Sequence, residues 1–295
     1  MLRVIIWGTG SDYDRYLNSI RYYEITNQIK VVGVTSKSVT GSTIDGYPFI
    51  CKEDIVNYVF DILIVTSMQY FKEIRQEAME LGICKEAIVK GKIFLLPNFN
   101  FQKYLEIKNS KLSIFSINCW GVIYNRLGLE FLSPFINLAV PEEHYLKFLK
   151  NPQDYMKEPL KLKEVSYNDV DRHTYPVCYC RDILLGFNHY YTFCEANHKW
   201  NERKKRINWN NLFVMMFTSR KDIAEEFINL PYEKKVCFVP FETEEDSLFY
   251  LNYQNVDEMS KLPFWKIVNL SAIGNYKYYD ILDLLNGIKK KRIET

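Results

Sequence analysis

No apolar run in the sequence approaches eighteen residues, so nothing in it reads as a membrane-spanning helix. There is little surplus charge: 38 Lys and Arg face 36 Asp and Glu, a balance that argues against a dedicated nucleic-acid binder. A cysteine framework is missing too. The seven cysteines are odd in number, and the close pair Cys178-x-Cys180 has no second pair to complete a zinc tetrad, so no metal is expected. On a strand, residues two apart point the same way, and one buried face carrying two small apolar side chains accounts for the pair. Free thiols suit a reducing cytoplasm. Leu2-Arg3-Val4-Ile5-Ile6 runs straight into a strand and a glycine turn, so no signal peptide is expected and the protein reads as cytoplasmic. Acid pairs, a Gly-x-Ser-x-Gly elbow, a Walker loop, internal repeats and low-complexity tracts are likewise absent.

A length of 295 residues suggests two domains. Strands alternating with helices give the fold class: two α/β domains, residues 1–98 a small Rossmann-like parallel sheet and residues 111–295 an irregular α/β domain. Aromatic residues make up 16% of the chain, which predicts aromatic-rich cores in preference to a carbohydrate-binding surface. The basic run Lys289-Lys290-Lys291-Arg292 reads as a solvated helix end.

In the first domain, Val4 to Trp7, Val31 to Val34 and Ile62 to Val65 are short buried strands, and Ile88-Val89 begins another. Phe71, Ile74, Ala78 and Leu81 keep helical spacing, with Gly82 as the stop. Gly8-Thr9-Gly10-Ser11 precedes a helix, where free N–H groups and a positive dipole end suit a phosphate, so Gly8, Gly10 and Ser11 are candidate cofactor residues. The third glycine of a dinucleotide loop is replaced by Tyr13, and the second strand ends in Thr35-Ser36-Lys37 without a ribose-binding acid. NAD(P) is therefore expected to bind weakly or not at all. A nucleotide or nucleotide sugar, with Lys37 on a phosphate, is one alternative; a domain kept for packing or oligomerisation is the other. Gly46-Tyr47-Pro48-Phe49, leading to a strand and a Glu-rich helix, loosely resembles amino-terminal domains of sugar-modifying acyltransferases and sugar-nucleotide enzymes. Pro97-Asn98-Phe99-Asn100 marks the boundary, and Phe101 to Lys108 a connecting helix.

The second domain turns on Ser113 to Asn137. A strand, Ser113 to Ile117, breaks at Asn118-Cys119-Trp120-Gly121; a short helical pattern follows, stopped by Gly128, and then the turn Ser133-Pro134-Phe135. Ligands of open α/β sheets sit beyond the carboxyl ends of strands, where such loops lie. Further along, Pro141-Glu142-Glu143 opens a helix, Val165 and Tyr175 to Cys180 are strands, and Asp182 to His189 pairs as the next one. Thr192-x-x-Glu195 is a capping box for a helix reaching about Arg206. Leu212 to Phe217 and Val236 to Val239 read as strands, 245 to 254 as a helix, Lys266 to Leu270 as a strand and Tyr279 to Ile288 as a closing helix.

Cys119, just after a strand and near a helix start, is placed to be a nucleophile, and such a thiol needs a base. Of the four histidines, His189 ends a strand where loops gather, so Cys119 and His189 are the candidate catalytic pair, for acyl transfer or hydrolysis through a thioester. Asn118, Trp120, Gly121 and Ser133 are candidate ligand-binding residues, with Arg203 or Arg206 to hold an anion. The structural alternatives are a packing cysteine, a core tryptophan, a serine that only forms the turn, an asparagine bonded to the loop backbone, and basic residues that complement the helix dipole.

Asn118-Cys119-Trp120-Gly121, Leu127-Gly128-Leu129 and Ser133-Pro134-Phe135, with a second block of His189-Tyr190, Ala196, Trp200, Arg203 and Arg206-Ile207-Asn208, resemble an uncharacterised bacterial family. That family is a domain of unknown function found in exopolysaccharide and capsule biosynthesis proteins, and the resemblance runs from about Lys111 onward. Val122 replaces the second glycine of the usual Cys-Trp-Gly-Gly, so close backbone approach to a ligand is not expected there. The resemblance implies a part in surface-polysaccharide biosynthesis, as a sugar- or acyl-transferring enzyme acting on a small-molecule or glycan substrate. The alternatives are a non-catalytic sugar-nucleotide or glycan binding module, or a structural partner of a biosynthetic complex. Oligomerisation is left open.

Overall fold

A computed structural model describes residues 1–37, 41–96, 99–169, 172–253, 261–272 and 279–287. The chain divides into two compact units, Met1–Asn109 with Asn125–Leu129, and Ser110–Tyr124 with Glu130–Thr295. Both are α/β. Pro97, Asn98, residue 254, Ile288 and the basic run at 289–292 lie outside the described residues.

The first unit contains β1 (Leu2–Trp7), α1 (Ser11–Ile25), β2 (Ile29–Thr35), a two-residue hairpin of β3 (Thr43–Ile44) and β4 (Tyr47–Pro48), β5 (Ile62–Val65), α2 (Phe71–Glu80), β6 (Ile88–Lys90) and α3 (Phe101–Ser110). The main sheet is parallel throughout, in the order β2-β1-β5-β6. Its central strands are covered on both faces, which is why Val4 to Trp7 and Ile62 to Val65 are continuously apolar instead of alternating. One face packs Ile5, Trp7, Leu63 and Val65 against Ile74 and Ala78 of α2 and against Ile50 and Ile55. Gly33 makes room for this: a Cβ there would lie 2.4 Å from the Ile50 Cδ1. The strand expected after Gly46 is only the short hairpin arm, and the Glu-rich helix is a 3-10 segment, Lys52–Asn57, anchored by the buried Ile55. Burying one isoleucine contributes about 1.5–3 kcal/mol, enough to dock a segment too short to be a stable helix alone.

In the second unit the order is β7 (Ser113–Ser116), a 3-10 turn (Cys119–Val122), α4 (Ile123–Arg126), α5 (Glu142–Lys150), α6 (Pro152–Lys157), β8 (Leu160–Asn168), β9 (His173–Cys180), β10 (Ile183–Gly186), α7 (Phe193–Lys204), β11 (Leu212–Phe217), α8 (Lys221–Ile228), β12 (Lys234–Val239), β13 (Leu248–Tyr250), α9 (Phe264–Ala272) and α10 (Ile281–Leu285). A parallel sheet runs β13-β12-β11-β7, and a separate antiparallel sheet runs β10-β9-β8. Between them lies an aromatic core. The Phe135 ring is 4.5 Å from Phe148 and 5.7 Å from Trp200, and Phe115 joins it at 5.3 Å. Cys178 and Cys180 both face inward from β9, and burial pushes each thiol up to about 12.

Four expectations are corrected. The apolar run at Lys266 to Leu270 is helical, because Pro263 starts α9 and its carbonyl accepts from the Lys266 and Ile267 N–H groups. The stretch from 245 is not a helix: Leu248–Tyr250 pairs in parallel with Cys237 to Val239, a non-local contact that its own short pattern does not announce. The strand at 182–189 stops at Gly186, which leaves His189 on the following loop. The closing helix covers only Ile281–Leu285, with Asp280 capping the Leu282 and Asp283 N–H groups at 2.9 and 3.1 Å. Among the described residues no helix is long and apolar enough to cross a membrane.

Candidate active site

The site begins where β7 ends, at the carboxyl edge of the parallel sheet. The Ser116 hydroxyl donates to the Asn118 carbonyl at 2.8 Å and accepts from the Gly121 N–H at 3.1 Å, which bends the chain sharply. Asn118 caps the turn, its Oδ1 accepting from the Trp120 N–H at 3.0 Å, while its Nδ2 donates to the Asn269 Oδ1 on α9 at 3.0 Å. Trp120 is fully buried, stacked 5.9 Å from Phe213, with its Nε1–H directed at the Tyr279 hydroxyl at 3.4 Å. Gly121 is a packing requirement, since a Cβ would come within 2.8 Å of the Phe135 carbonyl oxygen. With its three neighbours pinned, Cys119 is the residue of the tetrad Asn118 to Gly121 that is not buried.

The opposing group comes from the loop after β10. Gly186 and Ala139 exchange backbone hydrogen bonds at 2.8 and 2.9 Å, and the Phe187 N–H donates to the Pro176 carbonyl at 3.0 Å. His173 Nε2 lies 3.0 Å from the Asn188 carbonyl, and the His173 ring is 4.8 Å from Tyr191. Tyr190 turns into the core, donating toward the Ile136 carbonyl at 3.4 Å. Burial raises its pKa, an effect that the neighbouring Arg203 partly offsets. Fastened on both sides, the exposed His189 places its Nε2 3.0 Å from the Cys119 sulfur. The Asn188 side-chain amide and the Leu138 carbonyl each lie 3.8 Å from the same sulfur. The other histidines are engaged elsewhere. His144 Nδ1 accepts from the Leu184 N–H at 2.8 Å, and His198 sits 3.5 Å from Glu202 on the surface.

The remaining candidates are distributed unevenly. Ser133 is fully buried and its hydroxyl accepts from the Phe135 N–H at 3.1 Å, a local turn, so it turns inward with Trp120 and Gly121. Arg203 bonds the Tyr190 hydroxyl at 2.5 Å and lies over the Phe131 ring at 5.3 Å. Arg206 is exposed beyond the helix. Gly8, Gly10 and Ser11 line a cavity of the first unit, Gly8 with a φ of +118°. Sequence patterns gave no sign of Asn188 or Asn269, whose places are set by distant segments, and marked Tyr190 only as part of the resembling block. Glu142, legible only as an acid at a helix start, is half-buried beside Thr218 at the end of β11, and burial raises its pKa above the usual carboxylate range.

A family profile described as a domain of unknown function, DUF1919, matches residues 90–289, and one described as C2185-like, N-terminal, matches residues 1–89. An uncharacterized protein of Haemophilus influenzae is 30% identical over 206 residues, 68% of this chain and 93% of that protein. Cys119, His189 and the folded scaffold around them lie within the first match, which takes in more than half of the sequence, and the chain belongs to the DUF1919 family.

Proposed function

We propose that the second unit is a thiol-dependent acyltransferase or hydrolase that modifies a surface polysaccharide or its precursor. The observation that carries this is the 3.0 Å approach of His189 Nε2 to Cys119 Sγ at the carboxyl edge of a parallel sheet. In the first step His189 takes the thiol proton and the thiolate attacks an acyl carbonyl. The carbon–sulfur bond forms, the bond to the donor's leaving group breaks, and the imidazolium returns its proton to that group. In the second step His189 deprotonates a glycan hydroxyl or a water, which attacks the thioester, and the sulfur leaves to recover the proton. The half-buried thiol and the exposed imidazole leave the pair open to an acyl donor from solvent. Seven cysteines, none of them in a disulfide, suit a reducing cytoplasm as the place of action.

A glycan-binding module without chemistry is the second proposal. Tyr191, 69% exposed beside His173, offers a flat face on which a sugar ring can stack. Intact-mass spectrometry after incubation with an activated ester such as p-nitrophenyl acetate separates the two. Catalysis predicts one acyl group on the chain, lost in Cys119→Ser and acquired more slowly in His189→Asn. A chain that never acquires the group, or acquires it equally without Cys119, would falsify the enzyme and leave the binding module.

A further inference from the structure

We propose that the first unit binds a nucleotide sugar in the cavity at the carboxyl edge of its own sheet, a site separate from the Cys119–His189 pair and independent of its chemistry. The cavity encloses about 560 Å³, within the range of small-molecule sites. In the order β2-β1-β5-β6 the chain adds strands first on one side of β1 and then on the other. The loops after β1 and β5 therefore part and leave a crevice at the switch point. The cavity is lined by these two loops and by Ser36 and Lys37 after β2.

Three features fit a diphosphate. α1 is 15 residues long and starts in the cavity wall, so its dipole and first N–H groups favour an anion there. Gly10, its N-cap, brings no side chain, and a Cβ built on it would meet nothing within 4 Å. The backbone is thus open to a ligand at that point. Lys37 lines the same space and adds a cation. Asp12 is the opposing charge, and it is tied down: its Oδ2 accepts from the Met68 N–H at 3.1 Å, fastening the β5 loop to the helix.

Two features turn the choice away from NAD(P). Close approach of helix and strand under a dinucleotide is what the third glycine of the usual loop permits. Tyr13 stands there with its whole ring buried, 1% exposed. No carboxylate ends β2 to hold a ribose; the strand finishes at Thr35 and is followed by Ser36 and Lys37. The walls beyond the helix start carry hydroxyl and amide groups, Ser67 and Gln69 among them, which suit sugar hydroxyls, and Tyr70 at the rim is 54% exposed and free to cover a ring.

Isothermal titration calorimetry on the full chain tests this, with UDP-glucose, ADP-glucose, UDP, NAD, NADP and inorganic pyrophosphate as probes. The expected result is micromolar binding of at least one nucleotide sugar, with NAD and NADP at least about tenfold weaker, a difference of about 1.4 kcal/mol. Gly10→Val, at a φ of −88° that accepts a side chain, should fold normally and abolish binding. Lys37→Ala should weaken it about tenfold, as the loss of one charge-assisted hydrogen bond does. Cys119→Ala should leave binding unchanged, which keeps this test apart from that of the acyltransferase. No binding at millimolar concentration overturns the site. Binding that Gly10→Val does not alter, or pyrophosphate binding as tightly as a nucleotide sugar, does the same. NAD or NADP binding tightest overturns the ligand class.

Discussion

At the scale of single residues, the seven cysteines differ in ways that a thiol-reactive probe can read. Cys178, Cys180 and Cys237 are buried, and burial pushes their thiols upward, so in the folded protein they should stay silent. Cys51, Cys84 and Cys194 are exposed and should label at ordinary rates. Cys119, half-buried but facing His189, should label fastest at neutral pH, and His189→Asn should slow it about tenfold or more without touching the exposed three. Equal rates in the two proteins would mean that the imidazole does not activate the sulfur. Lys108 makes a second case. Its Nζ is buried without a hydrogen-bond partner among the described residues, and burial pushes its pKa down to about 8 from 10.5. Between those values the unfolded chain holds a proton that the folded chain has released, so stability rises with pH across that window. Lys108→Met removes the penalty and should stabilise the protein by about 1–3 kcal/mol at pH 7, with the advantage shrinking toward pH 10.5. Urea unfolding of both proteins at the two pH values measures it; a gap that does not change with pH would contradict the assignment.

Among the elements, α7 shows what local sequence settles. Thr192 caps it through a 3.2 Å bond from the Glu195 N–H, as the Thr-x-x-Glu spacing announces, because a capping box needs only four consecutive residues. Thr192→Ala should cost about 1 kcal/mol of stability in denaturant unfolding, and Thr192→Ser should restore most of it. No difference between the two variants would mean that the hydroxyl is not the cap that matters. Non-local elements behave differently. β13 has three residues and exists because β12 lies beside it, while α9 carries the β-branched pair Ile267-Val268 yet coils because Pro263 starts a helix whose buried side takes them. Intrinsic propensity is outweighed in both by what the segment packs against.

For the whole molecule, each unit has its own sheet and its own buried core, so unfolding is not expected to be a single two-state event. Differential scanning calorimetry should resolve two transitions, and a saturating nucleotide sugar should raise one of them and leave the other in place. One transition that coincides by every probe would sink this. The sequence by itself determined the α/β class, the strands of the first parallel sheet and β7, β11 and β12 of the second, the cap of α7 and the break at Asn118 to Gly121, since each depends on periodicity or on hydrogen bonds between residues a few positions apart. It also determined that a reactive cysteine would need a base. Only the tertiary structure decided which neighbour Cys119 meets, and that Trp120, Gly121 and Ser133 turn inward. His189 is 70 residues away, brought to the sulfur by the pairing of Gly186 with Ala139, by His173 on the Asn188 carbonyl and by Arg203 on Tyr190. None of those contacts leaves a mark in the local pattern, because each joins segments whose separation the chain can close in many ways and which packing closes in one.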